Sequence, residues 1–224
     1  MVLTNRSKSV DECCCKQREI GDPTPIGLFA FGTTQIIYAL YLIQIANITN
    51  HQIALGSALF YGGCIQVLSG VCSLYSGKTL SATIFCSFGG FWISFGFIYL
   101  PSSGIIDSFK NDPIMLRNAM GIYLTVWTFV TLLLLIASLR TTILEILTLS
   151  LVLTVFIFLD LANFTGLGIF SRIGGYFGVL GSFTAWYIAM ARLLTKETSY
   201  FILQTFPMPN NNNNTDNNKS LRLV

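Results

Sequence analysis

The chain has 224 residues, of which 10% are charged and 53% hydrophobic, with a formal net charge of +3. Soluble domains carry about a quarter charged residues, so this composition excludes an ordinary soluble globular domain, and the small positive charge without a basic patch excludes a nucleic-acid partner. Residues 23–77 form 55 consecutive positions without Lys, Arg, Asp or Glu, and residues 79–106 form 28 more. A membrane-spanning helix takes about 20 apolar residues, so the first run holds two spans and the second holds one. Ten-residue segments of apolar/polar alternation, the mark of a membrane β-barrel, are absent. The predicted fold class is an all-α membrane protein.

In chain order, residues 1–21 read as a short polar tail. It has no apolar stretch before residue 26, so it is not a cleavable signal peptide. Cys13, Cys14 and Cys15 lie a few residues before the first apolar run, which makes them candidate palmitoylation sites or simply free thiols. Adjacent cysteines lack zinc-ligand spacing, and His51 is the single histidine, so no metal or other cofactor is expected. Asp22-Pro23-Thr24-Pro25 then opens the first span. Asp22 is a candidate helix cap and Pro25 suits a first helical turn. Gly27 and Gly32 leave open backbone around Phe31.

Six spans are predicted, at about residues 26–46, 52–75, 79–100, 118–139, 141–163 and 173–194. Asp22-Pro23 before the first and Asp112-Pro113 before the fourth hint at two three-helix halves. An even number of spans places both ends on one side. Ten Lys/Arg lie there: four in the N-tail (Arg6, Lys8, Lys16, Arg18), two in loops (Lys78, Arg140) and four at the C-terminal end (Arg192, Lys196, Lys219, Arg222). The opposite loops hold three, Lys110, Arg117 and Arg172. Lys/Arg excess marks the cytoplasmic face, so both termini are expected to be cytoplasmic. The implied organisation is a tail over 1–21, a six-helix domain over 22–200 and an Asn-rich tail over 201–224. Both tails are expected to be disordered; the Asn run at 210–214 is low-complexity sequence that cannot bury a core.

Small residues at steps of four predict close helix contacts: Gly62, Gln66 and Gly70; Cys86, Gly90 and Ser94; Gly174, Gly178 and Ser182. Polar side chains within the spans are candidates for a weakly polar pathway, namely Thr34, Gln35, Gln66 and Ser87. Glu145 and Asp160 are intramembrane carboxylates and so candidates for proton handling or for interfacial pairing; Glu145 falls near Arg140. His51 is expected to be solvated on an outer loop. No nucleophile triad, metal cluster or phosphate loop is present in the sequence, which argues against an enzyme.

Asp22-Pro23-Thr24-Pro25-Ile26-Gly27-Leu28 resembles the Asn-Pro-Ala-Pro-Leu-Gly-Leu signature of the acetate uptake transporters. Phe60-Tyr61-Gly62-Gly63-Cys64-Ile65-Gln66 is similar to that family's Phe-Tyr-Gly-Gly-x-x-Gln, and Ser87-Phe88-Gly89-Gly90-Phe91-Trp92 to its Ser-Tyr-Gly-Ser-Phe-Trp. Ala185-Trp186-Tyr187 resembles its eukaryotic members. The resemblance implies a six-helix protomer in the plasma membrane or an organellar membrane, a homohexamer, and a pore in each protomer for acetate and related small carboxylates. It implies a constriction at Phe31, Phe88 and, by a weaker alignment, Leu151. Two departures stand out: Asp22 replaces Asn at a mouth used by anions, and Phe88 replaces Tyr. Two other functions stay open, a non-conducting signalling or scaffolding protein of the same fold, and movement of ammonium or neutral solutes.

Overall fold

Long apolar runs punctuated by small residues fold into six long helices: α1 (Thr24–Ile43), α2 (Gln52–Tyr75), α3 (Thr79–Tyr99), α4 (Pro113–Ala137), α5 (Ile143–Thr165) and α6 (Gly168–Leu193). The computed structural model describes residues 21–48, 50–197 and 199–208. Helices α1 to α5 are long and apolar enough to cross a membrane. The 26-residue α6 is about 39 Å long at 1.5 Å per residue, but its five glycines and two terminal arginines make it less apolar than the others. Two helices begin five residues before their predicted starts, α4 at Pro113 and α6 at Gly168. The apolar windows stop at Arg117 and Arg172, whereas the backbone continues helically past the charge.

Side-chain caps fix the starts of α4 and α5. Asp112 accepts a 2.9 Å bond from the Met115 N–H and caps α4. Thr142 caps α5 through the Glu145 N–H at 3.2 Å. At α1 the predicted cap is displaced by one residue: Pro23 holds the cap position, and Asp22 before it accepts from the Thr24 N–H (3.0 Å) and hydroxyl (2.6 Å). The two Asp-Pro steps therefore start their helices differently. In α2, residues Ser57–Ile65 adopt the wider π-helical turn, and the Gln66 N–H bonds back to Tyr61. Such expanded turns are rare and favour functional sites; this one spans the Phe60–Ile65 motif.

The helices form a ring in chain order. Helix α1 packs on α2 and on α6, α2 on α3, α6 on α5, and α5 on α4. Between α3 and α4 the backbones stand further apart, and bulky side chains bridge them. Phe91 packs on Trp127 (centroids 5.2 Å) and Tyr123 (6.2 Å), while the Ser94 and Tyr123 hydroxyls share a 2.6 Å bond.

Elsewhere the contact is backbone-close. A Cβ on Gly70 would lie 2.5 Å from the Cys86 sulfur, and one on Gly89 would lie 2.6 Å from Val67 Cγ2 and 3.0 Å from the Gly63 carbonyl. The α6 glycines divide between two neighbours: Gly175 and Gly178 meet Ala39 of α1, whereas Gly174 and Gly181 face Phe158 and Leu151 of α5. Lipid tails are as apolar as these side chains, so close approach rather than water exclusion holds the ring together. Past α6, residues 199–208 return across the face that carries the chain ends. The Ile143 N–H bonds to the Phe206 carbonyl, the Met208 N–H to the Thr141 carbonyl (each 3.1 Å), and the Tyr187 hydroxyl to the Gln204 carbonyl (3.1 Å). The predicted tail boundary at 200 thus falls inside an ordered strap; residues 1–20 and 209–224, with the cysteine cluster and the Asn run, lie outside the described residues.

Gly90 has open space where its Cβ would go. Gly89→Ala is therefore expected to destabilise the protein by about 1–3 kcal/mol through overpacking, while Gly90→Ala is close to neutral. Thermal unfolding of the two variants in detergent checks this, and equal midpoints would contradict it.

Candidate functional site: two cavities and an aromatic barrier

Two cavities open into the ring from opposite faces. The one on the terminal face holds about 420 Å³ and is lined among others by Thr24, Phe31, Gln66, Lys78, Phe88, Glu145, Val152 and Arg192. The one on the opposite face holds about 650 Å³ and is lined among others by Tyr38, His51, Trp92, Phe95, Leu159 and Asn163. Helices α1, α2, α3, α5 and α6 each contribute to both, and no lining residue is shared. Going along α1 from Phe31 to Tyr38, along α3 from Phe88 to Trp92, or along α5 from Val152 to Leu159, the lining passes from one cavity to the other. Buried aromatic rings stand where the lining changes. The Phe31 and Phe88 rings lie 5.9 Å apart, both buried, and Phe91 and Phe156 pack at 5.1 Å beside them.

Close contacts in α1 and α2 seat Phe31. The Ser69 hydroxyl donates to the Pro23 carbonyl at 2.7 Å. A Cβ on Gly27 would lie 2.7 Å from that hydroxyl and 2.9 Å from the Phe85 ring. Pro23, Pro25 and Gly27 are all buried. The α1 signature thus works as a seat against α2 and α3.

Of the four polar pathway candidates, Gln66 alone lines a cavity. It is 1% exposed, and its side-chain oxygen has no partner. Thr34 donates to the Ser57 carbonyl at 3.3 Å and packs on Gly62, Gln35 lies against Gly178, and Ser87 lines neither cavity. Leu151 also lines neither, because its Cβ faces Gly181 of α6; the next residue, Val152, lines the terminal-face cavity. Asp160 sits between α5 and α4, where it accepts from Thr128 at 2.7 Å, away from both cavities.

Glu145 does pair, but with Arg192 rather than the predicted neighbour Arg140 (2.7 Å). Arg192 also reaches Asp22 (3.5 Å), and Asp22 pairs with Lys78 (2.6 Å). Two carboxylates and two cations thus form one chain of ion pairs at the terminal mouth. Burial pushes the Asp22 carboxyl up, but hydrogen bonds from Lys78 and Thr24 and the Lys78 charge outweigh it and hold the group down at about 2.

Sequence reasoning missed three residues. Lys78 and Arg192 counted there only toward membrane orientation; their position at span ends was the available signal. Trp92 is 2% exposed and its indole N–H has no partner, a state no sequence signal shows. His51 is half-buried against Tyr41 (5.6 Å) and lines the opposite-face cavity rather than standing in solvent.

A family model described as the GPR1/FUN34/yaaH family matches residues 10–210. The chain belongs to the GPR1/FUN34/yaaH family. It is 37% identical over 193 residues to Ammonia transport outward protein 2 of Saccharomyces cerevisiae, covering 86% of this chain and 68% of that protein. It is 32% identical over 209 residues to Acetate permease A of Emericella nidulans, covering 86% and 68%. The solved structure of the bacterial acetate channel SatP superposes with a TM-score of 0.74 at 25% identity, covering 84% of this chain and 99% of that one. With these relatives and five helices of spanning length and apolarity, this family member is a multi-pass integral membrane protein.

A carboxylate lowered from 3.8 to about 2 on folding stabilises the fold above its unfolded value, and that contribution disappears as pH falls through the folded value. The unfolding midpoint of wild type should therefore exceed that of Asp22→Asn by a constant margin above about pH 5, and the margin should shrink below about pH 4. A pH titration of both midpoints tests the sign.

Proposed function

We propose that this protein carries acetate and related short-chain monocarboxylates across a membrane, through a pore in each protomer. One observation carries the proposal: two cavities on opposite faces are lined by the same five helices without sharing a residue, and the buried Phe31 and Phe88 rings pack 5.9 Å apart where the lining changes from one to the other. Transport rather than enzymatic turnover fits this geometry, as do the acetate-related names of Acetate permease A and SatP. In the proposed arrangement all six long helices cross the bilayer, both termini are cytoplasmic as the Lys/Arg distribution indicates, and the protomers assemble as a homohexamer.

Burying an isolated carboxylate in an apolar medium costs tens of kcal/mol by Born solvation, so a pore for acetate needs a short barrier with polar groups on each side. On the terminal side the buried Gln66 side-chain oxygen has no partner and acts as an acceptor, and on the other side Trp92, one turn beyond Phe88, offers an unpartnered indole N–H, the donor that a carboxylate can take. Channel conduction between these groups is the simpler mechanism, because Asp160, the carboxylate a proton relay would want, lies off the path. Phe88 in place of a tyrosine leaves the barrier without a hydroxyl and favours small, weakly hydrated acids. Val152, rather than Leu151, is the α5 residue proposed to face the pathway.

A second function has one specific support, the ammonia-transport name of the 37%-identical yeast relative. Vesicles containing the purified protein separate the two when tested side by side with labelled acetate, propionate, lactate, succinate and ammonium. Acetate and propionate are expected to move fastest. Phe31→Ala is expected to raise flux of the larger acids relative to acetate by removing the ring that narrows the path. Ammonium flux without carboxylate flux, at acidic and neutral pH alike, would replace this proposal with the second function. No flux of any solute through intact protein would leave the signalling or scaffolding alternative.

A further inference from the structure

The charged groups at the terminal mouth come from four separate places: Asp22 ahead of α1, Lys78 between α2 and α3, Glu145 in the first turn of α5 and Arg192 in the last turn of α6. Among the described residues, Lys78 and Arg192 are the only lysine or arginine lining either cavity. Both are occupied by the protein's own carboxylates. Lys78 Nζ holds Asp22 Oδ1 at 2.6 Å; Arg192 Nη2 holds Glu145 Oε1 at 2.7 Å, and its Nη1 lies 3.5 Å from Asp22 Oδ2. Arg192 Nε is buried and has no partner, so the guanidinium keeps one donor in reserve. An acetate headgroup has the same chemistry as the two side chains already there.

We propose that Asp22 and Glu145 are resident competitors at a carboxylate-loading site formed by Lys78 and Arg192, and that Asp22 sets the concentration of substrate needed to fill it. This rests on the transport function proposed above. A bare pair of cations at a cavity mouth would hold a carboxylate tightly and release it slowly, whereas flux needs binding strong enough to load and weak enough to leave. Two resident acids supply that balance. An incoming carboxylate displaces Asp22 from Lys78 or Glu145 from Arg192, and when it moves on toward Gln66 the side chain returns. No bond is made or broken, and the mouth stays near neutral in the unloaded state.

The test uses full-length protein in lipid vesicles, with labelled-acetate flux measured against acetate concentration. Asp22→Asn preserves a side-chain oxygen for Thr24 and removes only the charge. It is expected to lower the half-saturating acetate concentration by about two- to fivefold, the range a partly exposed ion pair is worth. Glu145→Gln should shift it the same way. In a Lys78→Met background the Asp22→Asn shift should fall by at least half, because its main partner is gone. Half-saturation unchanged in both Asp22→Asn and Glu145→Gln, in protein that is folded at the assay temperature, overturns the proposal, as does an undiminished shift without Lys78. Acetate-dependent stabilisation in detergent, measured in parallel, separates the two levels. If Asp22→Asn is stabilised at lower acetate than wild type while neither conducts, the competition stands and the transport proposal fails; if wild type conducts but neither readout changes in the variants, the transport proposal stands and the competition fails.

Discussion

The seat of α1 on α2 is the contact on which the rest of this structure depends. The Ser69 hydroxyl bonds the Pro23 carbonyl at 2.7 Å, and Gly27 leaves room for that hydroxyl and for the Phe85 ring. The Pro23 carbonyl takes only a long 3.4 Å bond from the Gly27 N–H of its own helix, and the Ser69 hydroxyl adds a second, shorter one from α2. Together with the close approach at Gly27, that bond ties the start of α1 to α2 and α3. Two consequences follow at once: Asp22 comes within 2.6 Å of Lys78, and Phe31, one turn beyond Gly27, meets Phe88. The mouth and the barrier are two ends of a single rigid segment.

Along the proposed path the protein uses two different kinds of control. At the mouth the groups are charged but paired, so their field on a passing anion is small and local. Between the cavities the packed side chains of Phe31, Phe88, Phe91 and Phe156 are buried and uncharged. The unpartnered groups of Gln66 and Trp92 stand at the boundary between these regimes. An unsatisfied polar group buried in a protein costs about 1–3 kcal/mol, and among the described residues the fold leaves four such atoms: Gln66 Oε1, Trp92 Nε1 and Arg192 Nε on residues that line a cavity, and Asp160 Oδ1 on one that lines neither.

Much of the fold was legible because membrane sequences obey blunt rules. Charge-free runs set the helices, Lys78 ended one span and Thr79 began the next, and the small-residue steps marked close contacts at Gly62, Gly70, Gly174 and Gly178 but not at Gly90, which faces open space. The starts of α4 and α6 were misread because apolarity ends at Arg117 and Arg172 while helical hydrogen bonding does not. The pathway was less legible. Thr34, Gln35 and Ser87 share with Gln66 the property of being polar within a span, but whether such a side chain faces a cavity or a neighbouring helix depends on rotation about the helix axis. The π-helical stretch in α2, just before Gln66, changes that rotation in a way a regular period does not anticipate.

By itself, the sequence determined that this chain crosses a membrane several times, where each long helix lies to within about five residues, which residues are small enough for close helix contact, and which family's signatures it carries. These follow from local properties: the cost of charge in hydrocarbon and the size of side chains at helical spacing. Tertiary structure alone decided who meets whom. Glu145 passes over the nearby Arg140 for Arg192, 47 residues away; Asp22 finds Lys78, 56 residues away; Leu151 turns to α6 and leaves the cavity to Val152. The physical reason is that charge partners and pore-lining faces are set by the order and rotation of helices around the ring, and those are properties of six helices packed together rather than of any one of them.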